Sequence, residues 1–311
     1  MSPDGARRAR SAFVGLAAAG VGALAYAHVE TKLFTTREVT LPVLPAGARD
    51  LRVLHVSDLH LVPSQQRKIA WVRSLAELEP DLVIDTGDNF AHVDSLDPLL
   101  HALGPLLESV PGVFVMGSND YYAPRPKNPA RYLLPDARLP LTEQPPTLPA
   151  AELAEAFRGA GWLDLTNRRD AIDVGGVRID LVGVDDPHLD LDVYPAPAPL
   201  SEGADLRLGV THAPYVRVLD AMHADGADAV IAGHTHGGQL CVPGFGALVT
   251  NCDLDRRRAK GLHGWPGPRP DEAGGESSTW LHVSAGAGTS PYAPFRFACR
   301  PEATLLTLTA R

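Results

Sequence analysis

The chain has 311 residues, 45% of them apolar, which is enough to bury the core of one large domain or two small ones. A formal net charge of −9 excludes a general nucleic-acid surface, which needs a basic footprint. Three cysteines (Cys241, Cys252 and Cys299) exclude a disulfide framework and a CxxC metal knuckle; a Cys241–Cys252 pair is open, with isolated thiols the simpler reading.

Arg7, Arg8 and Arg10 precede residues 11–29, a stretch without a single Asp, Glu, Lys or Arg. A helix of that length spans about 28 Å, close to the hydrocarbon thickness of a bilayer. The stretch is expected to anchor the chain in the cell membrane as a single pass, with the arginines cytoplasmic and the residues after 30 extracytoplasmic. Ala25-Tyr26-Ala27 also fits a small-x-small cleavage site, so a cleaved export signal is the alternative. Residues 1–38 are therefore read as anchor or signal plus linker, and 39–311 as the main domain.

Beyond the anchor, short apolar strands alternate with amphipathic helices, the pattern of an α/β sheet. Strands are expected within "LRVLHVSD" (51–58), "DLVIDTGD" (81–88), "GVFVMGSND" (112–120), "VRIDLVGVDD" (177–186), "LRLGVTHAP" (206–214), "DAVIAGHTH" (228–236) and "WLHVSAGAG" (280–288). Helices are expected over 65–78, stopped near Pro80, and over 152–160, ending at Gly161 as a glycine C-cap. The Pro-rich stretch 124–149 is too long for a simple connection and reads as a surface excursion or a lid. Residues 265–278 form a second, solvated loop.

Six of these strands end in residues able to bind metal. They are Asp58 and His60, then Asp88, then Asn119 and Asp120, then Asp185 and Asp186, then His212, and last His234 and His236. In an α/β sheet the carboxyl ends of the strands converge on one edge, where ligands bind. Residues i and i+2 of an extended segment point the same way, so Asp58 with His60, and His234 with His236, each present two ligands to one spot. Gly233, Gly237 and Gly238 let the backbone turn tightly and approach closely. Oxygen and nitrogen donors without a thiolate suit manganese, iron or zinc. A shared carboxylate such as Asp88 could bridge two ions about 3.5–4 Å apart, the spacing of two-metal phosphoester hydrolysis. His188, just after the Asp185-Asp186 pair, is a further candidate, whereas His28, His55, His92, His101, His223, His263 and His282 read as structural or surface residues.

In this order, D-x-H, G-D, a G-N-H-D-like element, a lone histidine and G-H-x-H, the sequence resembles the calcineurin-like metallophosphoesterases. It is most similar to their small bacterial membrane-associated branch, which carries "SDLH" and "GHTHGGQ" after one N-terminal hydrophobic segment. The resemblance covers roughly residues 39–311, including "GVDD" and "FRFACRPEATLLTL". It implies a four-layer αββα sandwich of two packed sheets, with two divalent ions at the strand ends. By the same resemblance Asp58, His60 and His236 hold the first ion and Asp88 bridges. The second ion takes Asp88, the amide of the third motif, His212 and His234.

The third motif departs from the pattern: it reads Gly117-Ser118-Asn119-Asp120. Aligned without a gap, Ser118 stands at the metal-binding amide and Asn119 at the histidine; slipped by one, Asn119 keeps the metal and Asp120 falls at the histidine. Asn119 is preferred as ligand, because an amide oxygen suits a divalent ion better than a hydroxyl. Either way the histidine that serves the leaving group is missing, and such groups contribute about 10²–10⁴-fold. Good leaving groups would make the loss tolerable, or His188 or a residue of the Pro-rich stretch 124–149 would supply the missing function.

The implied activity is metal-dependent phosphoester hydrolysis by a metal-activated hydroxide, on a diester or pyrophosphate. An anchored domain facing lipid points, by location only, to a phospholipid or lipid-linked phosphate as substrate. A non-catalytic or weakly catalytic binding protein on the same fold is the competing reading, favoured by the missing histidine and opposed by the intact Asp and His set.

Overall fold

Alternation along the strands determines where every layer lies. The computed structural model describes residues 3–126 and 147–311. Most of the Pro-rich stretch expected at 124–149, residues 127–146, lies outside the described residues.

One sheet has the order β1 (Thr35–Leu44), β14 (Glu302–Ala310), β2 (Leu51–Val56), β3 (Leu82–Asp85), β4 (Gly112–Phe114), β5 (Leu163–Asp164). The second runs β12 (Gly261–Trp265), β13 (Thr279–Val283), β9 (Ala229–Ala232), β8 (Leu206–Thr211), β7 (Val177–Gly183), β6 (Arg168–Val174). Strands β2 to β5 are mutually parallel, as are β13, β9, β8 and β7, so each sheet aims a set of carboxyl ends in one direction.

Leu51 and Val53 of β2, Leu82 and Ile84 of β3, Leu208 and Val210 of β8, and Ala229 and Ile231 of β9 share one apolar core between the sheets. The alternate residues Leu54, Val56 and Val83 turn the other way, into a core shared with helices. Strands buried on both faces read as continuous apolar runs, which is why these were legible. Helices α2 (Gln66–Ser74), α3 (Leu96–Ser109) and α5 (Ala150–Gly159) cover the outer face of the first sheet. Helix α3 buries Leu99, Ala102, Leu103 and Leu106, one stripe at helical spacing. On the outer face of the second sheet α6 (Val216–Ala224) packs Val218, Leu219 and Met222 against Val230, Leu281 and Val283. The result is a four-layer αββα sandwich.

Several elements lie where the sequence reading had none. Edge strand β1 contains Pro42 and alternates in polarity, while α3 carries prolines in its first turn (Pro98) and interior (Pro105). The domain also begins earlier than residue 39, because β1 pairs with β14 from Thr35 onward. Helix α1 (Pro3–Glu30) contains a stretch, Phe13–Glu30, long and apolar enough to cross a bilayer. Its last turn is docked on the domain: the Ala27 carbonyl accepts from Arg296 N at 2.8 Å, and the Glu30 carboxylate accepts from the amides of Ala298 and Cys299.

Candidate metal centre

Each of β2, β3, β8 and β9 stops one to four residues before a candidate ligand, and the chain then bends sharply. Asp58, His60, Asp88, His234 and His236 all have positive φ, from 40° to 67°. The left-handed region costs a non-glycine residue about 1–3 kcal/mol and persists where the surroundings over-determine it. Asp58 and His60 therefore reach a common spot through left-handed bends, not through the alternation of an extended strand, whereas His234 and His236 diverge, His234 toward His212 and His236 toward His60 and Asp58. Gly233 makes the close approach possible, since a Cβ there would lie 1.9 Å from Ser57 Oγ and 2.7 Å from Asp58 Oδ2.

Donor atoms of Asp58, His60 and His236 lie within 4.8 Å of one another, and so do those of Asp58, Asp88 and His212. Asp88 stands between two imidazoles: His60 Nε2 is 3.4 Å from one oxygen and His212 Nε2 is 3.5 Å from the other. His236 Nε2 is 3.6 Å from Asp58 Oδ1. His234 Nδ1 faces His212 Nε2 at 3.2 Å, and His60 Nε2 faces His236 Nε2 at 3.1 Å.

The far sides of three rings are held by carbonyls, which only accept. His212 Nδ1 meets Thr86 O at 2.7 Å, His234 Nε2 meets Asn251 O at 3.1 Å, and His236 Nδ1 meets Gly288 O at 3.1 Å. The outer nitrogen of His212 thus carries a proton, whereas His236 Nδ1 also has Arg296 Nη2 at 3.3 Å and His234 Nε2 has Asn251 Nδ2 at 3.5 Å; the inner nitrogens face one another and two carboxylates. Oxygen and nitrogen donors converging on one buried space, without a thiolate, are a set that suits a divalent cation such as manganese, iron or zinc; the residues fit the group. Burial would lower the His212 pKa, but Asp88, Asp186 and Asp58 hold it up at about 9. Burial holds His60 and His236 well below the ordinary value, with the Lys68 cation adding to the effect on His60.

Behind Asp58 runs a buried chain of hydrogen bonds that sequence reasoning missed. Ser57 Oγ donates to Asp58 Oδ2 at 2.5 Å, and Thr86 Oγ1 donates to Ser57 Oγ at 2.7 Å. His55 Nε2 lies 2.9 Å from Thr86 Oγ1, and its Nδ1 lies 3.2 Å from His282 Nδ1. Because the carboxylate at one end can only accept, every proton in the chain points toward it. His55 and His282, read from sequence as structural, thereby orient a candidate ligand. Arg296 was missed as well. Fully buried, it donates to the carbonyls of Ala285, Gly286 and Gly288, fixing the loop that holds His236.

The third motif sits at the start of α4 (Ser118–Tyr121). Asp120 is fully buried, and its carboxylate accepts from the amides of Gly117, Asp88 and Asn89 at 2.8–2.9 Å. Both of its oxygens are engaged by backbone, so Asp120 ties the second motif to the third and is not aimed into the ligand space. Asn119 meets Asp88 through its backbone N–H, at 2.6 Å from Oδ1, while its side-chain Nδ2 donates to Tyr122 O. His188 does reach the centre's edge: its ring lies 4.5 Å from that of His234, and Nδ1 is 3.0 Å from Tyr215 Oη. All three cysteines are free thiols, and the pair that meets is Cys241 with Cys299, both donating to the Gly237 carbonyl, whereas Cys252 stands apart.

A family model described as calcineurin-like phosphoesterase matches residues 51–238, the span that contains every candidate ligand, though not His282 or Arg296. The chain belongs to the calcineurin-like phosphoesterase family. This metallophosphoesterase is a hydrolase whose chemistry depends on divalent metal. It is 25% identical over 299 residues to an uncharacterised metallophosphoesterase of Aquifex aeolicus, covering 91% of this chain and 95% of that one. It is 27% identical over 267 residues to phosphodiesterase YaeI of Escherichia coli, covering 84% and 83% respectively. A transmembrane protein with metallophosphoesterase domain from Bos taurus matches at 32% over 91 residues, which is 28% of this chain and 20% of that protein.

Proposed function

We propose that this metallophosphoesterase hydrolyses a phosphodiester or pyrophosphate linkage in a phospholipid or lipid-linked phosphate, at a centre of two divalent ions. Asp58, His60 and His236 hold the first ion, Asp88 is shared, and His212, His234 and the third-motif amide, Asn119, hold the second. The observation that carries the reading is Asp88, which turns one oxygen toward His60 and the other toward His212. When bound, two ions of manganese, iron or zinc lower the pKa of water and neutralise charge developing on phosphorus.

The chain's own part is positioning. The Thr86, Asn251 and Gly288 carbonyls hold three imidazoles from behind, with their other ring nitrogens turned inward. Ser57 orients Asp58, and Asp120 holds the Asp88 backbone. No imidazole stands in the third motif, so protonation of the leaving oxygen falls to His188 or is dispensed with. Diesters and pyrophosphates with acidic leaving groups suit such a centre, and a relative named as a phosphodiesterase supports the diester reading. The N-terminal helix and a relative named as transmembrane support membrane attachment, and Arg7, Arg8 and Arg10 ahead of the span favour the domain on the extracytoplasmic side.

Full-length protein loaded with manganese is assayed against phosphomonoesters, phosphodiesters, nucleotide pyrophosphates and dispersed phospholipids. Turnover of diesters or pyrophosphates is expected, steepest for acidic leaving groups. Turnover confined to monoesters overturns the proposal.

A further inference from the structure

We propose that the hairpin spanning residues 240–248, with the cations behind it, is a docking surface for an anionic lipid bilayer beside the metal centre. The inference rests on the reading of α1 as a membrane anchor and deepens it. Strands β10 (Cys241–Val242) and β11 (Gly246–Ala247) form the hairpin. Leu240, Val242, Phe245 and Leu248 are between 44% and 62% exposed on it. Single exposed apolar residues need no explanation, but four within nine positions on one projecting turn form a patch.

Charge separates this patch from an ordinary protein-docking face. Although the whole chain is acidic, with a net charge of −9, Arg256, Arg257 and Lys260 stand together behind the hairpin, while Arg258 turns away onto Trp265. Arg256 lies over the Phe245 ring at 5.3 Å from its centroid. Apolar tips ringed by Lys and Arg are the composition of segments that lie in the headgroup boundary of anionic membranes. Between tips and cations is a recess of about 410 Å³, lined by Phe245, Arg256, Arg257, Lys260 and Ala298, with Gly237 at its wall. Gly237 directly follows His236, so the recess adjoins the metal centre.

Position relative to the anchor commits the occupant to lipid. Leu240 bridges Phe297, and the Phe297 ring meets Tyr26 of α1 edge-on at 5.8 Å. Residues 296–299 thus hold the end of the candidate span and the base of the hairpin together, through the same contacts that dock Ala27 and Glu30. Where α1 leaves a bilayer, the hairpin meets its surface.

The full-length chain is reconstituted with vesicles containing phosphatidylglycerol, as the parent and as Phe245→Trp, which keeps an aromatic ring at an exposed position. Flotation reports the anchor; quenching by lipids brominated near the headgroup reports the hairpin. Both forms should float, and the variant's fluorescence should be quenched well beyond the parent's. In the full-length Phe245→Trp chain, adding Arg256→Glu with Arg257→Glu should cut the added quenching about twofold or more, and undiminished quenching overturns the inference. Flotation without added quenching overturns this inference and leaves the anchor intact. Failure to float overturns both. Concentration-dependent association of the parent in detergent, abolished by Phe245→Glu, would mean that a second copy covers the face, and the inference fails.

Discussion

Replacing Thr86 by valine deletes one oxygen and keeps the shape of the side chain, so any effect comes from hydrogen bonding and not from a cavity. Thr86 is fully buried and links His55 to Ser57, at 2.9 and 2.7 Å. The substitution leaves the His55 N–H without an acceptor and Ser57 Oγ without a donor. Each unsatisfied buried group costs about 1–3 kcal/mol, so the apo-protein should lose about 2–5 kcal/mol of folding stability. Ser57 also loses the donor that directs its own hydroxyl onto Asp58, and disturbing such outer partners typically costs about 10–100-fold in metal affinity. Urea unfolding in the presence of chelator measures the first effect, and calorimetric titration with manganese at a temperature where the variant is folded measures the second. Thr86→Ser is the control: it keeps the hydroxyl and should keep the affinity. A valine variant within about 0.5 kcal/mol of the parent, with unchanged metal affinity, would refute the relay.

Asp88→Asn should reduce both metal occupancy and turnover, because one carboxylate serves both ions; two retained metals by elemental analysis would defeat the shared-ligand assignment. Asn119→Ala should lose the second ion preferentially and Ser118→Ala should change little in a metal titration, with the reverse result assigning Ser118 as ligand. His282 is held neutral by burial, at about 3 in the fold against an ordinary value near 6.5. The unfolded chain binds the extra proton, so stability is full above about pH 6.5 and is lost as pH falls toward 3; His282→Asn should flatten that loss in urea titrations, and equal slopes would contradict it. A reporter active only after export, fused at the C-terminus, should be active, and activity of a cytosol-only reporter would reverse the topology.

Strand ends were legible because β3 and β9 are buried on both faces and stop in a single step at glycine and charge. The spacing of His234 and His236 among glycines marked them as a pair. What could not be read was how the ligands converge: nothing local announces positive φ at Asp58 or Asp88, since the bends are imposed by contacts across the two sheets. Ser57 and Thr86 are lone hydroxyls 29 positions apart, adjacent only because β2 pairs with β3. His55 and His282 meet across different sheets, so no periodicity within either strand links them. Helix α3 was obscured by its own prolines, one tolerated in the first turn and the other where Ser109 bonds its carbonyl.

The docked end of α1 has a consequence for maturation. Ala27 is 4% exposed, with its carbonyl held by Arg296 N. A processing peptidase needs several extended, accessible residues on each side of the bond it cuts, and here the bond after Ala27 lies within a helix, with Ala27 packed on the domain while Tyr26 and Val29 stay exposed. On the reading of α1 as an export segment, trimming at that point and folding of the domain compete in time: once the helix has settled on the domain, the bond after Ala27 is no longer offered in extended form.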